Sequence, residues 1–128
     1  MNPAAAGKVY PATTFTVDPQ RVAAFRKIFE QSEGVPVTFV TSAEFAVMPQ
    51  IVADPELALD FSRVLHGNQE YEFRRPLREG ETLEVRCRLG SIRVFGSNTF
   101  LTVVTDLVEP RGDIVCTGRS TLIERAAD

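Results

Sequence analysis

The sequence predicts a single α+β domain, residues 1–128, in which an antiparallel β-sheet wraps around a central helix. Residues 41–53 are apolar over much of the helix circumference, which indicates a buried helix. Two later segments alternate apolar and polar residues, as strands with one buried face do, and two further segments complete a set of four strands. Short turns separate these segments, and short turns join antiparallel neighbours. A chain of 128 residues is long enough for one modest core.

The first half of the chain is predicted to contain one strand and two helices. Residues 13–17 are β-branched and aromatic, as in a short strand. Asp18 and Pro19 are typical of a helix start, and apolar residues three and four apart extend this helix to about Gln31. Thr41 or Ser42 is expected to cap the buried helix. Pro49 removes a backbone donor, so we expect a kink or a late start there.

The second half is predicted to contain four strands, at 69–74, 83–89, 99–108 and 114–123. Turn residues lie around Gly80, Gly96 and Gly112, so the strands are expected to form an antiparallel meander. A buried helix followed by long strands predicts the hot-dog arrangement, with the helix covering one face of the sheet. Because a sheet edge has unpaired backbone groups, edge-to-edge pairing of two sheets is expected, in a dimer or in a double hot-dog.

Composition disfavours several classes of function. The net charge of −3 argues against a nucleic-acid partner. No apolar run reaches the roughly 20 residues that span a bilayer, so no membrane partner is expected. The N-terminal residues lack the pattern of a secretory signal, which favours the cytoplasm. Two cysteines, Cys87 and Cys116, and one histidine cannot form an all-Cys/His zinc site; we expect reduced core thiols, no metal and no cofactor.

The chain resembles the MaoC-like N-terminal dehydratase domain family, which is related to the dehydratase domains of type I fatty acid synthases. The matching motifs are TFV at 38–40, DP at 54–55, LDFSR at 59–63, LHGNQ at 65–69 and RPLREGETL at 75–83. The group includes the non-catalytic subunit of mycobacterial-type (3R)-hydroxyacyl-thioester dehydratases. The resemblance implies an acyl-CoA or acyl-carrier-protein thioester as ligand, and hydration of a 2-enoyl thioester or dehydration of a 3-hydroxyacyl thioester.

Catalytic members of this group carry an Asp and a His five residues apart, in a Gly-Asp-x-Asn-Pro-x-His setting. The equivalent link here, EQSEGVPVTFV at residues 30–40, contains neither residue and is shorter than in catalytic members. The resemblance therefore implies a catalytically incomplete, accessory subunit with no catalytic residue of its own. Such a subunit would pair with a catalytic MaoC-type chain, completing its sheet and its acyl groove.

The candidate site residues fall into three groups. His66, Gly67 and Gln69 are expected to have a structural or interface role, with a catalytic role for His66 as the alternative. Backbone and side-chain groups at the start of the buried helix are the candidates for a thioester contact, because free N–H groups there attract a carbonyl oxygen. This second group is Thr41, Ser42 and Ala43. The third group could bind CoA phosphates, against the alternative of a solvated turn; it is Arg74, Arg75 and Arg78.

Glu44 and Asp60 flank the buried helix and could act as bases, but helix capping and surface solvation are expected for both. Two other functions stay open. One is a homo-oligomeric hot-dog thioesterase or hydratase that uses non-standard residues, and hydrolysis of acyl-CoA by the purified protein would support it. The other is a non-enzymatic acyl-thioester binding module, which would bind acyl-CoA without converting it.

Overall fold

Two α-helices and five β-strands form the chain in the computed structural model, which describes residues 1–128. The helices are α1 (Pro19–Ile28) and α2 (Thr41–Val52). The strands are β1 (Thr13–Thr16), β2 (Val64–Phe73), β3 (Thr82–Phe95), β4 (Asn98–Val108) and β5 (Ile114–Glu124). All predicted elements are present, and a 3₁₀ turn at Val37–Val40 precedes α2.

The strands form one antiparallel sheet in the order β1-β3-β4-β5-β2. The predicted meander of four strands is wrong, because only β3, β4 and β5 are joined by hairpins. Strand β2 pairs with β5, with Gln69 opposite Ser120, and the connection at residues 74–81 crosses the end of the sheet to reach β3. A hairpin of β2 and β3 would need a free edge on β3. That edge is already paired with β1, where Thr13 lies opposite Val85.

Helix α2 packs on the concave face of this sheet, which confirms the predicted hot-dog layout. Its buried residues Ala43, Val47 and Ile51 are at most 2% exposed and belong to one core with the inward face of β3. That face is Leu83, Val85, Cys87 and Leu89. Burying an aliphatic side chain of this size contributes about 1.5–3 kcal/mol, so the helix and the sheet stabilise each other.

The start of α2 differs from its prediction. The 3₁₀ turn leads directly into the helix, Val40 already has helical backbone angles, and no side chain caps the helix. The Thr41 hydroxyl instead donates to the carbonyl oxygen of Thr38 at 2.8 Å. The helix runs through Pro49, so the predicted late start there is also wrong. Pro49 has no backbone N–H, so the carbonyl oxygen of Phe45, four residues earlier, receives no helical hydrogen bond. Phe45 is on the exposed side of the helix, where water can reach it.

Helix α1 begins as predicted, because Asp18 Oδ1 accepts a hydrogen bond from the backbone N–H of Gln20 at 2.9 Å. It ends at Ile28, a few residues before the predicted end. Both cysteines are buried free thiols. None of the helices combines the length and the apolar character needed to cross a membrane.

Candidate functional site

A cavity of about 790 Å³ lies between α2 and the strands β2 and β5. Its volume is within the range of small-molecule sites. One part of its wall is apolar and is made by Phe45, Met48, Phe61, Val64 and Leu122; the other part is polar and is made by Thr38, Thr41, Glu44, His66, Gln69, Tyr71 and Ser120. The side chains of Phe45 and Phe61 are also largely exposed, so the cavity has an apolar rim.

Glu44 is the central group of the polar wall. It lies in the first turn of α2 and is 9% exposed, although its carboxyl group is not paired with any Lys or Arg. Gln69 Nε2 donates to its Oε2 at 3.1 Å, and the Tyr71 hydroxyl donates to its Oε1. Gln69 and Tyr71 are two residues apart on β2, so the pleat presents both side chains to the helix.

The other end of the Gln69 amide faces β5. Gln69 Oε1 accepts a hydrogen bond from Ser120 Oγ at 2.7 Å, across the residue pair that sets the β2–β5 register. His66 Nε2 lies 3.1 Å from Ser120 Oγ and 3.2 Å from Gln69 Oε1. These contacts form one hydrogen-bonded cluster of Glu44, Gln69, Tyr71, Ser120 and His66, which we call the Glu44 cluster.

Burial dominates the electrostatics of this cluster. It raises the pKa of Glu44, although hydrogen bonds from Tyr71 and Gln69 and the nearby His66 act in the opposite direction. Burial and the Glu44 carboxylate raise the pKa of Tyr71 strongly, so the phenol stays a donor. A buried carboxyl group with a perturbed pKa in the wall of a large cavity is a typical sign of a functional site.

Gly118 on β5 makes room for this arrangement. A Cβ atom at Gly118 would lie 3.2 Å from Glu44 Oε2 and 3.2 Å from Tyr71 Cε1. Contacts this short would displace the carboxyl group or the phenol ring. The absence of a side chain at residue 118 is therefore part of how the sheet holds Glu44.

The expectation of capping or surface solvation for Glu44 is wrong. Glu44 caps nothing and is buried, because β2 folds over the start of α2 and covers it. The signal in the sequence was a lone charge within an otherwise apolar helix. For Asp60 the expectation of capping is confirmed: its side chain accepts a hydrogen bond from the backbone N–H of Ser62 at 3.1 Å.

The three candidate residues within the LHGNQ motif are His66, Gly67 and Gln69. His66 and Gln69 line the cavity, and both ends of the Gln69 amide have partners within the chain. Gly67 lies at a shift in the β2–β5 register, where an added Cβ would be 2.9 Å from Ile123 Cδ1. A contact of these residues with a partner chain remains a prediction.

The residues proposed for a thioester contact are only partly placed at the cavity. Thr41 lines it, whereas Ser42 does not and Ala43 is fully buried in the core. The backbone N–H of Thr41 already donates to carbonyl oxygens of the preceding turn, those of Thr38 and Phe39. The amide of Thr41 is therefore not free to hold a ligand oxygen.

The three arginines have different environments. The Arg75 guanidinium group binds both oxygens of Glu81, at 3.0 and 2.7 Å, and Glu109 at 3.1 Å. Arg74 and Arg78 are exposed and have no carboxylate within ion-pair distance. Arg74 and Arg75 line a second cavity, of about 320 Å³. Arg74 and Arg78 are thus available to bind a phosphate group, whereas the charge of Arg75 is already paired with Glu81 and Glu109.

The link between α1 and the turn before α2 is residues 29–36, FEQSEGVP. It contains no Asp and no His, and its acidic residues Glu30 and Glu33 are exposed. The acid–base groups at the cavity are therefore Glu44, His66 and Tyr71, which come from α2 and β2.

A family model and several curated relatives are similar to this chain. A family model described as FAS1-like, dehydratase domain region, matches residues 6–118. A UPF0336 protein of Saccharopolyspora erythraea is 39% identical over 90 residues, which are 70% of this chain and 58% of the relative. A UPF0336 protein of Streptomyces coelicolor is 37% identical over 93 residues, 73% of this chain and 62% of the relative. The chain thus spans about three-fifths of the length of these curated relatives.

A UPF0336 protein of Leifsonia xyli is 29% identical over 148 aligned positions, which cover 98% of this chain and 96% of the relative. Because the chain has 128 residues, at least 20 of these positions have no counterpart in it.

Solved structures show the same fold. The truncated HadBC (3R-hydroxyacyl-ACP dehydratase) complex of Mycobacterium tuberculosis has a chain with a TM-score of 0.80 and 17% identity, covering 93% of this chain and 96% of that one. The HtdX protein of the same organism has a TM-score of 0.76 and 18% identity, covering 90% of this chain and 51% of that one. At these identities the likeness establishes the hot-dog fold.

Proposed function

The chain belongs to the family described as FAS1-like, dehydratase domain region, and from that premise we propose that it is an accessory subunit of a hydro-lyase acting on acyl thioesters. Its catalytic partner is a MaoC-type chain, and the assembled enzyme is a (3R)-hydroxyacyl-CoA or -ACP dehydratase or an enoyl-thioester hydratase. The accessory chain extends the partner's sheet and provides part of the groove for the acyl chain.

The observation that carries this proposal is the combination of a large cavity with a link between α1 and α2 that lacks the Asp and His of catalytic members. The cavity of about 790 Å³ has an apolar wall and an apolar rim suited to an alkyl chain. The link at residues 29–36 has no Asp and no His, the pair with which catalytic members move a proton. Binding capacity without that pair favours an accessory role.

The free edge of β2 supports association with a second chain. β2 is bonded to β5 on one side only and ends the sheet, so the backbone groups on its other side have no strand partner. It is ten residues long, whereas the opposite edge strand β1 has four. A long unpaired edge is suited to continuing the sheet into another chain. The chain of similar fold in Mycobacterium tuberculosis comes from the HadBC complex, a 3R-hydroxyacyl-ACP dehydratase.

Co-expression tests the proposed association. The chain is produced together with a MaoC-type chain of the same genome, with an affinity tag on that partner only, and the purified material is sized by light scattering. We expect a stoichiometric complex that survives gel filtration. Recovery of the tagged partner alone, with this chain eluting separately, would contradict the proposal.

A second candidate function rests on the Glu44 cluster. Glu44 and His66 are two side chains of the acid–base type in the cavity wall, so a homo-oligomer could itself hydrolyse or hydrate an acyl thioester. In that case the purified chain converts acyl-CoA or enoyl-CoA, and Glu44→Gln abolishes the conversion. Binding of acyl-CoA without conversion would favour the accessory role or a binding module over this candidate.

A further inference from the structure

The Glu44 carboxyl group has only neutral donors. Tyr71 and Gln69 hydrogen-bond to it, and no Lys or Arg forms an ion pair with it. An ionised carboxylate has about four lone-pair sites, so two strong donors leave part of its capacity unused. Glu44 is part of the cavity wall, and the remaining capacity faces a space that a ligand would fill.

The Gln69 amide is placed between two partners. Ser120 Oγ donates to Gln69 Oε1, and Gln69 Nε2 points to Glu44 and donates to its carboxylate. The cluster is therefore arranged to receive a carboxylate or a carboxylic acid at Glu44. The Tyr71 oxygen can accept a hydrogen bond from the acid form.

A saturated alkyl chain in the cavity would remove the water next to Glu44. Removing water from a charged group without replacing its hydrogen bonds is costly. Two events avoid this cost: the ligand brings a donor of its own, or the carboxyl group takes up a proton. The first event is measured as a higher affinity for a ligand with a donor, and the second as the number of protons taken up on binding.

We propose that Glu44 makes the cavity selective for acyl chains that carry a hydrogen-bond donor, such as a hydroxyl group on the chain, and that a saturated chain binds only with uptake of one proton. This inference rests on the proposed acyl-thioester function, and it adds the class of acyl chain that the accessory subunit accepts. It concerns binding by this chain and needs no catalytic partner.

The titratable groups that face Glu44 are Tyr71 and His66 on β2, Cys87 on β3 and Cys116 on β5. Burial raises the pKa of Cys87, and it raises the pKa of Cys116 to about 12, so both thiols are uncharged near neutral pH. Tyr71 is uncharged for the same reason. Proton uptake on binding is therefore assigned to Glu44.

The experiment uses N-acetylcysteamine thioesters, which carry the acyl group without the CoA nucleotide. A saturated acyl thioester is compared with hydroxyacyl thioesters of the same chain length, hydroxylated at successive positions. Isothermal titration calorimetry in buffers of different ionisation enthalpy gives the affinity and the number of protons taken up. Above the pKa of Glu44, we expect about one proton with the saturated chain and none with the preferred hydroxylated chain, which binds about tenfold more tightly.

Two variants identify the group responsible. Glu44→Gln keeps the shape but not the charge, so we expect it to remove both the proton uptake and most of the preference for a hydroxyl group. Glu70→Gln is the matched control, because Glu70 lies on β2 next to Gln69 but is exposed, and it should bind as the unmodified protein does. If Glu44→Gln retains the proton uptake, His66 or another group is the acceptor and the inference is wrong.

Equal affinity for saturated and hydroxylated chains, without proton uptake, would overturn the inference. So would the absence of binding of any thioester to a folded protein. Either result would leave co-purification with a MaoC-type chain untouched, so failure of the inference can be told apart from failure of the proposed function.

Discussion

Gln69 Nε2 donates a hydrogen bond to Glu44 Oε2 at 3.1 Å and so ties the edge strand β2 to the first turn of α2. The bond joins the two walls of the cavity, and the same amide reaches β5 through Ser120. The cavity is thus held at its polar side by a side-chain amide and a carboxylate rather than by an ion pair.

Replacing Gln69 by Leu should raise the pKa of Glu44 further. The carboxylate loses a donor, and Tyr71 alone remains to stabilise its charged form. The unfolding free energy at neutral pH should fall by about 1.5–3 kcal/mol, the range for hydrogen bonds to charged groups. A ¹³C NMR titration of the Glu44 carboxyl carbon, with chemical denaturation, measures both. An unchanged pKa would show that Gln69 does not contact Glu44 in solution.

Stability should depend on pH through Glu44 with a defined sign. Its pKa is raised in the folded chain above the usual 4.5. The stabilisation that this gives is fully present below pH 4.5 and is lost as the pH rises through the raised value. The difference in unfolding free energy between the unmodified protein and Glu44→Gln should therefore decrease above pH 4.5 and then level off. A difference that grows with pH in this window would contradict the assignment.

Gly118→Ala should disturb the cluster more than Gly67→Ala does. The new Cβ at residue 118 meets both Glu44 and Tyr71 at 3.2 Å, whereas at residue 67 the closest atom is the terminal methyl group of Ile123 at 2.9 Å, which can rotate away. We expect Gly118→Ala to lower stability by about 1–3 kcal/mol, in the range for overpacking. Thermal denaturation of the two variants compares them, and a larger loss for Gly67→Ala would count against the arrangement.

The arginines of the β2–β3 connection should separate into two classes. Arg75→Ala should lower stability, because the guanidinium group binds Glu81 and Glu109. Arg74→Ala and Arg78→Ala should leave stability within about 0.5 kcal/mol. If CoA phosphates bind here, these two variants weaken acyl-CoA binding but leave binding of the N-acetylcysteamine thioester unchanged. Equal effects on the two ligands would place the phosphates elsewhere.

The local parts of the fold could be predicted from the sequence. The alternation along β3 identified Leu83, Val85, Cys87 and Leu89 as inward-facing, and all four are at most 1% exposed. The Asp18–Pro19 pair located the start of α1. These features depend on a few neighbouring residues and on periodicity, which a single sequence contains.

The parts that depend on distant pairing could not be predicted in the same way. Strand β2 looks like the first strand of a hairpin, but it pairs with β5, far along the chain, and this choice is made by β1 occupying the edge of β3. The burial of Glu44 follows from that pairing, because it is β2 that brings Gln69 and Tyr71 over the helix. A Glu in the first turn of a helix is typical of a solvated position, so the place of Glu44 in the helix predicted exposure rather than the burial observed.

The proposed accessory role is tested by the rate of 2-enoyl-CoA hydration, measured for the isolated chain, for the MaoC-type partner and for their complex. We expect the complex to be active and the isolated chain to be slower by at least about a hundredfold, the contribution typical of a positioned acid–base group. Loss of activity of the complex on changing the partner's Asp or His would agree with this. Hydration by the isolated chain at the rate of the complex would contradict the accessory role.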